Sequence, residues 1–175
     1  MKRLESFVVL LMCLCWFLVG SGLARAEDLS GTFSTTMTII GDSQLVGDVT
    51  CTVVGAPCIA FGASNIKLRL NGFTITGRAV PPANCVSGSN FASAPEDGVS
   101  SAGQSQIAIL GPGLVEGFGR NGIFLVNSSQ VRVDTVTVAN NCFSGIFLSG
   151  TSYSDIEQTV SVRNLASAGF TCGGT

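Results

Sequence analysis

A chain of 175 residues with no histidine and only 11% charged residues carries nine Lys plus Arg against eleven Asp plus Glu. With no basic stripe, that balance argues against nucleic acid as a partner, and the charge content fits neither a disordered chain nor a helical bundle. Small polar residues are left to do the solubilising, as on the outward face of stacked strands.

Residues 1–26 read as an export signal. Met1-Lys2-Arg3 is a basic start, with Glu5 just behind it, and Phe7 to Val19 is unbroken apolar sequence. That run suits a signal peptide core and is short for a membrane span. Ala24-Arg25-Ala26 places small residues where a signal peptidase needs them, so cleavage before Glu27 is expected. Cys13 and Cys15 lack preceding small residues, which argues against lipid attachment, and both leave with the signal. Losing Lys2, Arg3, Arg25 and Glu5 moves the net charge from −2 to −4. The expected location is secreted or periplasmic, with no membrane span after cleavage.

Residues 27–57 read as an N-terminal cap and a first coil. Phe33, Thr35, Met37 and Ile39 alternate with Thr32, Ser34, Thr36 and Thr38, which gives one mixed apolar face and one hydroxyl face. A solenoid needs such a cover, because its end coil otherwise exposes core and strand edge. Cys51 and Cys58 flank Gly55-Ala56-Pro57, a turn that brings them within reach of a disulfide, and export permits one. Cys85, Cys142 and Cys172 remain, and the odd total leaves a free thiol or an intermolecular bond, with the pairing open. With no histidine and no Cys-x2-Cys, no metal site is expected from them.

Residues 58–175 read as the coils proper. Ile66, Leu68 and Leu70 point one way and Lys67 and Arg69 the other, before Asn71-Gly72 turns the chain into Phe73-Thr74-Ile75. Residues 78–97, with Pro81-Pro82, Cys85, Phe91 and Pro95, form an insertion leaving as a loop, either a binding loop or a tolerated one. Then a period appears. Asp97-Gly98, Asn121-Gly122, Ser144-Gly145 and Ala168-Gly169 place their glycines 24, 23 and 24 residues apart. Val99, Ile123, Ile146 and Phe170 share a column, as do Leu125, Leu148 and Cys172. Further on, Leu114, Val138 and Val162 align, as do Glu116, Asn140 and Asn164. Period-2 alternation inside a fixed repeat predicts three short strands per coil, each paired with its copy about 4.8 Å along the axis. The fold class is therefore all-β, a parallel β-helix. Gly122 and Gly145 sit at corners needing positive φ or close backbone approach, while Ser128 is expected on the surface. Cys172-Gly-Gly-Thr175 stops partway into a coil, which reads as a fragment or as an edge met by self-association.

Anchored on the glycines, the register puts Arg132 beside Asp155 and Asp134 beside Glu157, all outward. These four are the candidate catalytic residues: paired carboxylates can hold Ca2+ or act as acid and base beside a uronic acid, and Arg132 can neutralise a sugar carboxylate. The plain alternative is a solvated salt-bridge patch. Phe124 and Phe147 stack outward and are the candidate ligand-binding residues, as platforms for a pyranose. Alternatively they pack on each other under the 78–97 loop. Asn140 and Asn164 read as a turn ladder. Asn127-Ser128-Ser129 matches a glycosylation acceptor, relevant in a secretory eukaryotic host.

Asp48-Val49-Thr50-Cys51, then Cys58-Ile59, then Asn65 through Gly77, resembles the opening coils of secreted right-handed parallel β-helix proteins of the pectin-lyase-like superfamily. Arg69 and Phe73 stand where a common version of that segment has Asp and His. The resemblance implies a right-handed coil of three short strands. The superfamily holds lyases, hydrolases, epimerases, a copper-delivery accessory protein and surface proteins, so the fold alone does not fix the function. The histidine-containing motifs of its polygalacturonases and mannuronan epimerases are absent here. The expectation is a non-catalytic module directed at polysaccharide or a cell-surface partner. The alternative is the N-terminal part of a lyase, hydrolase or epimerase with its catalytic coils further on.

Overall fold

The computed structural model describes residues 26–78, 95–164 and 170–173. The segment expected to be an export signal, Ala26 excepted, lies outside the described residues, as do Cys85 and positions 79–94 of the expected insertion. Among the described residues there are fourteen strands and no helix. They are β1 (Glu27–Phe33), β2 (Met37–Ile39), β3 (Ser43–Cys51), β4 (Ile59–Phe61), β5 (Lys67–Arg69), β6 (Thr74–Thr76) and β7 (Val99–Ala102). Then come β8 (Ala108–Glu116), β9 (Ile123–Val126), β10 (Arg132–Ala139), β11 (Ile146–Ser149), β12 (Asp155–Glu157), β13 (Val160–Val162) and β14 (Phe170–Gly173).

The strands form two parallel sheets, an arrangement consistent with a parallel β-solenoid. The first sheet has the order β2, β4, β7, β9, β11, β14, so each strand pairs with its counterpart one coil away. The second runs β1, β3, β5, β8, β10, β12 and also takes in β6 and β13. Strands β8 and β10 each bend midway, and in the flanking coils the same stretch divides into β5 with β6 and β12 with β13. A coil therefore has three straight runs, two of them in one bent sheet. Alternation explains what the runs bury: Val99, Ile123 and Ile146 form one fully buried column, Leu68, Ile109 and Val133 a second, Ile75, Val115 and Val138 a third. Each such side chain contributes about 1.5–3 kcal/mol relative to exposure, as an upper estimate.

The corners between runs use left-handed residues. Asn65, Gln106, Gln130 and Tyr153 have φ of 61, 56, 53 and 53° at one corner, Thr135 and Gln158 have 59 and 46° at the next, and Asn140 and Arg163 have 56 and 54° at the third. Successive coils thus turn at matching positions. Gly122 and Gly145 are different, because neither has positive φ. A Cβ on Gly122 would fall well inside contact with Val138 Cγ1, 2.7 Å from Asn141 Nδ2 and 2.9 Å from the Gly145 carbonyl oxygen. Close approach, not backbone conformation, requires glycine there.

Three expectations need correction. The alternation from Phe33 to Ile39 is not one strand: the chain bends at Ser34 and Thr35, and Thr36 Oγ1 donates to the Pro57 carbonyl at 2.7 Å. The back columns are one residue off. Leu114 pairs with Thr137, Glu116 with Ala139, and Ala139 with Val162. Between β8 and β10 the cause is a bulge: Leu110 opposes Asp134 but Gly113 opposes Val136, so β8 carries one extra residue at the bend, whereas the following coil pairs 23 residues on throughout, Arg132 with Asp155 and Thr137 with Val160. In β13 the inward position is held by Ser161, leaving Val160 and Val162 54% and 38% exposed. Finally, Ser128 is buried, with its hydroxyl 3.0 Å from that of Ser101. The same hydroxyl donates to the Val126 carbonyl at 3.1 Å, so its polar atom is satisfied inside.

Cys51 and Cys58 form a disulfide, with Cα atoms 5.8 Å apart. Cys142 is disulfide-bonded as well, to a cysteine whose side chain lies outside the described ones. The Cys51–Cys58 bond closes a short loop and should contribute about 2–3 kcal/mol. Non-reducing peptide mapping is expected to recover one cross-linked peptide. Alkylation of both thiols in unreduced protein would rule the bond out. Among the described residues, no helix is long and apolar enough to cross a membrane.

Candidate functional site

Outward residues of the first sheet and the corner before it build a connected cluster of aromatic and charged side chains. Phe124 on β9 and Phe147 on β11 are register partners, and their rings stack with centroids 5.4 Å apart and planes 19° apart. Phe143 stands 6.5 Å from Phe147, tilted by 43°. The Arg120 guanidinium carbon lies 4.2 Å over the Phe124 ring. Arg120 reaches toward Asp97, one coil before Phe124, and Phe147 is one coil after, so the two faces of the Phe124 ring are both occupied. As a sugar platform Phe124 therefore offers its edge, while Phe147 and Phe143 retain partly exposed surface.

Asp97 anchors this cluster. It is 1% exposed, and the Arg120 guanidinium grips it with two nitrogens, Nε at 2.8 Å from Oδ1 and Nη2 on Oδ2. Oδ1 also accepts from the Asn121 backbone N–H at 3.1 Å and its side-chain amide at 2.8 Å. The Ser144 N–H in turn donates to Asn121 Oδ1 at 3.3 Å. A buried carboxylate is tolerable only when its charge and lone pairs are met in this way. A second internal ladder runs alongside. Asn141 Oδ1 accepts from the Phe118 N–H at 3.0 Å, and Asn164 Oδ1 accepts from both the backbone and the side chain of Asn141. The expected Asn140–Asn164 pair is thus replaced by Asn141–Asn164, one residue on. Asn140 instead donates to Glu116 and accepts from Arg163. The polar residue before each repeat glycine was the available signal for the Asp97 ladder: Asp97, Asn121 and Ser144 precede Gly98, Gly122 and Gly145.

The four candidate catalytic residues lie on the other sheet. Arg132 pairs with Asp155 in register, and Asp134 with Glu157. Arg132 Nη2 contacts Asp134 Oδ2 at 2.9 Å and Glu157 Oε2 at 3.1 Å, with Arg132 and Glu157 about half exposed. The geometry is a solvated ion-pair patch in which one guanidinium bridges two carboxylates. Among the described residues no group of three acidic, Cys or His side chains is placed to hold a metal ion. Arg132→Ala is expected to change stability by less than about 1 kcal/mol in thermal melts. A much larger loss would mean that the patch is shielded from solvent.

Asn127, the acceptor position of the glycosylation sequence, is exposed at a corner with φ 49°. No family model matches the chain, and neither a curated protein nor a solved structure matches it.

Proposed function

We propose that this chain is an exported, right-handed β-helix module of the pectin-lyase-like kind that binds polysaccharide across the outward face of its six-stranded sheet and does not cleave it. The observation that carries the reading is the outward aromatic cluster of Phe124, Phe143 and Phe147, fixed from below by the Asp97–Arg120 pair. Aromatics held on an outer strand face, rather than in the core, favour a binding role. Right-handedness is supported by the strong preference of parallel crossover connections for that hand. Export is supported by the basic and apolar leader and by the Cys51–Cys58 disulfide.

The test is retention of the purified protein on a panel of insoluble polysaccharides, with reducing ends measured in parallel. Retention without bond cleavage is expected. Phe147→Ala should weaken it about tenfold, or about 1.4 kcal/mol. A second reading, part of a polysaccharide lyase, hydrolase or epimerase, is favoured by Arg132 standing among Asp134, Asp155 and Glu157. Release of cleaved or epimerised sugar that Arg132→Ala abolishes would replace the first reading by the second.

A further inference from the structure

We infer that the polymer taken by the first sheet is an uncharged glycan rather than an acidic one; this rests on the polysaccharide reading above. The register fixes two outward ladders on that sheet. The first is Thr38, Ala60, Ser100, Phe124 and Phe147. The second runs through Ala102, Val126 and Ser149, and Gly62 and Ile40 extend it toward the N-terminal end. None of these ten residues is charged. Ile40 is 75% exposed, and Thr38, Gly62 and Ala102 are exposed too.

The charges stand elsewhere. Lys67, Arg69, Arg132, Asp134, Asp155 and Glu157 all sit on the bent sheet, and Arg78, at the corner before the first sheet, is paired with Glu96 at 2.6 Å. The cation nearest the aromatic cluster, Arg120, is 13% exposed and committed to Asp97. Lys67 and Arg69 make no ion pair among the described residues, yet they lie on the bent sheet too. A uronic acid pressed onto the first sheet would lose water from its carboxylate and meet no free counter-charge, which disfavours binding. A neutral chain has no such penalty. Its hydroxyls meet Thr38, Ser100 and Ser149, and its C–H faces meet Ala60, Ala102, Val126 and the phenyl groups. Five strands at about 4.8 Å give a flat track about 19 Å long, suited to a thin, stiff polymer. A protein partner would instead seek several large anchors and pockets, and apart from Ile40 the outward residues of the first three coils are small.

Affinity electrophoresis through gels holding one soluble polysaccharide each tests this. The probes are hydroxyethyl cellulose, xyloglucan and mixed-linkage β-glucan as neutral polymers, and polygalacturonate and alginate as acidic ones. Retardation by at least one neutral polymer and by neither acidic one is expected, at low and high salt alike. Ala102→Glu and Thr38→Glu, both at exposed positions, should each weaken that retardation at least about tenfold. Lys67→Ser with Arg69→Ser should leave it unchanged. Retardation by acidic polymers alone would overturn the inference and leave the polysaccharide reading standing. No retardation by any polymer, and none on the insoluble panel, would overturn both. Neutral binding unmoved by both Glu variants would take the site off this face. A concentration-dependent dimer dissociated by Ala102→Glu would assign the face to a second copy and overturn it equally.

Discussion

Asp97→Ala is expected to lower the stability of the folded chain by about 3–5 kcal/mol. The substitution leaves the Arg120 guanidinium, at 13% exposure, without its carboxylate, and strips the Asn121 N–H and side-chain amide of their acceptor. The reverse change is comparable. Arg120→Ala leaves the Asp97 carboxylate, at 1% exposure, with both Asn121 donors but no counter-charge, and should also cost about 3–5 kcal/mol. The double variant should cost less than the two single losses together, because the uncompensated charge is removed along with its partner. Guanidinium titrations of the four proteins, compared at equal m-values, measure all three differences. An Asp97→Ala loss below about 1 kcal/mol would show that water reaches the carboxylate and that the ladder is not buried.

The second large effect is steric. Gly122→Ala adds only the atom whose position the backbone already fixes, and that atom falls on Val138 Cγ1, Asn141 Nδ2 and the Gly145 carbonyl. Val138 is fully buried and Asn141 is locked by its bonds to Asn164 and Phe118, so neither can yield cheaply. The expected loss is about 2–4 kcal/mol, spread over two coil interfaces. Gly145→Ala should lose less, because the atom it meets first is the Ser161 hydroxyl, which can rotate. Gly41→Ala is the control: a Cβ there meets nothing within 4 Å, and the change should stay within about 0.5 kcal/mol. Thermal melts of the three beside the parent decide the matter. If Gly122→Ala melts with the parent, the glycine column does not mark close contact between coils and the register described for it fails.

Much of the coil was legible because alternation and a fixed repeat report burial directly. Val99, Ile123 and Ile146 pair as their spacing says, and so do Arg132 with Asp155 and Asp134 with Glu157. The pattern failed where periodicity stops carrying information. A single extra residue at Gly111–Gly113 moves the back of one coil without altering the apolar pattern, so Leu114 and Val138 look aligned and are not. In β13 two valines outline a strand whose inward residue is Ser161, and hydrophobicity pointed to the wrong face. The outward stack of Phe124 and Phe147 could be placed from sequence, but not the occupant of its far face. Arg120 precedes the strand at a corner, and its direction is set by the buried Asp97 of the preceding coil. Asp97 and Asn121 were visible beside the repeat glycines, yet a polar residue before Gly looks like an ordinary turn until burial is known.

The left-handed corners carry a consequence for engineering. Asn accepts that conformation at little cost, but Thr135, Gln158, Tyr153 and Arg163 hold it against their own side chains. Tyr153 is 87% exposed and its ring lies outside the apolar core. The solenoid therefore contains unspent stability at positions that lie neither in its core nor on the outward ladders of its first sheet. Exchanging such residues for Gly or Asn relaxes the bends one at a time, and because the same corner recurs in each coil, a gain at one level can be repeated at the next. A scaffold of adjustable hardness with an unchanged face is already written into its turns.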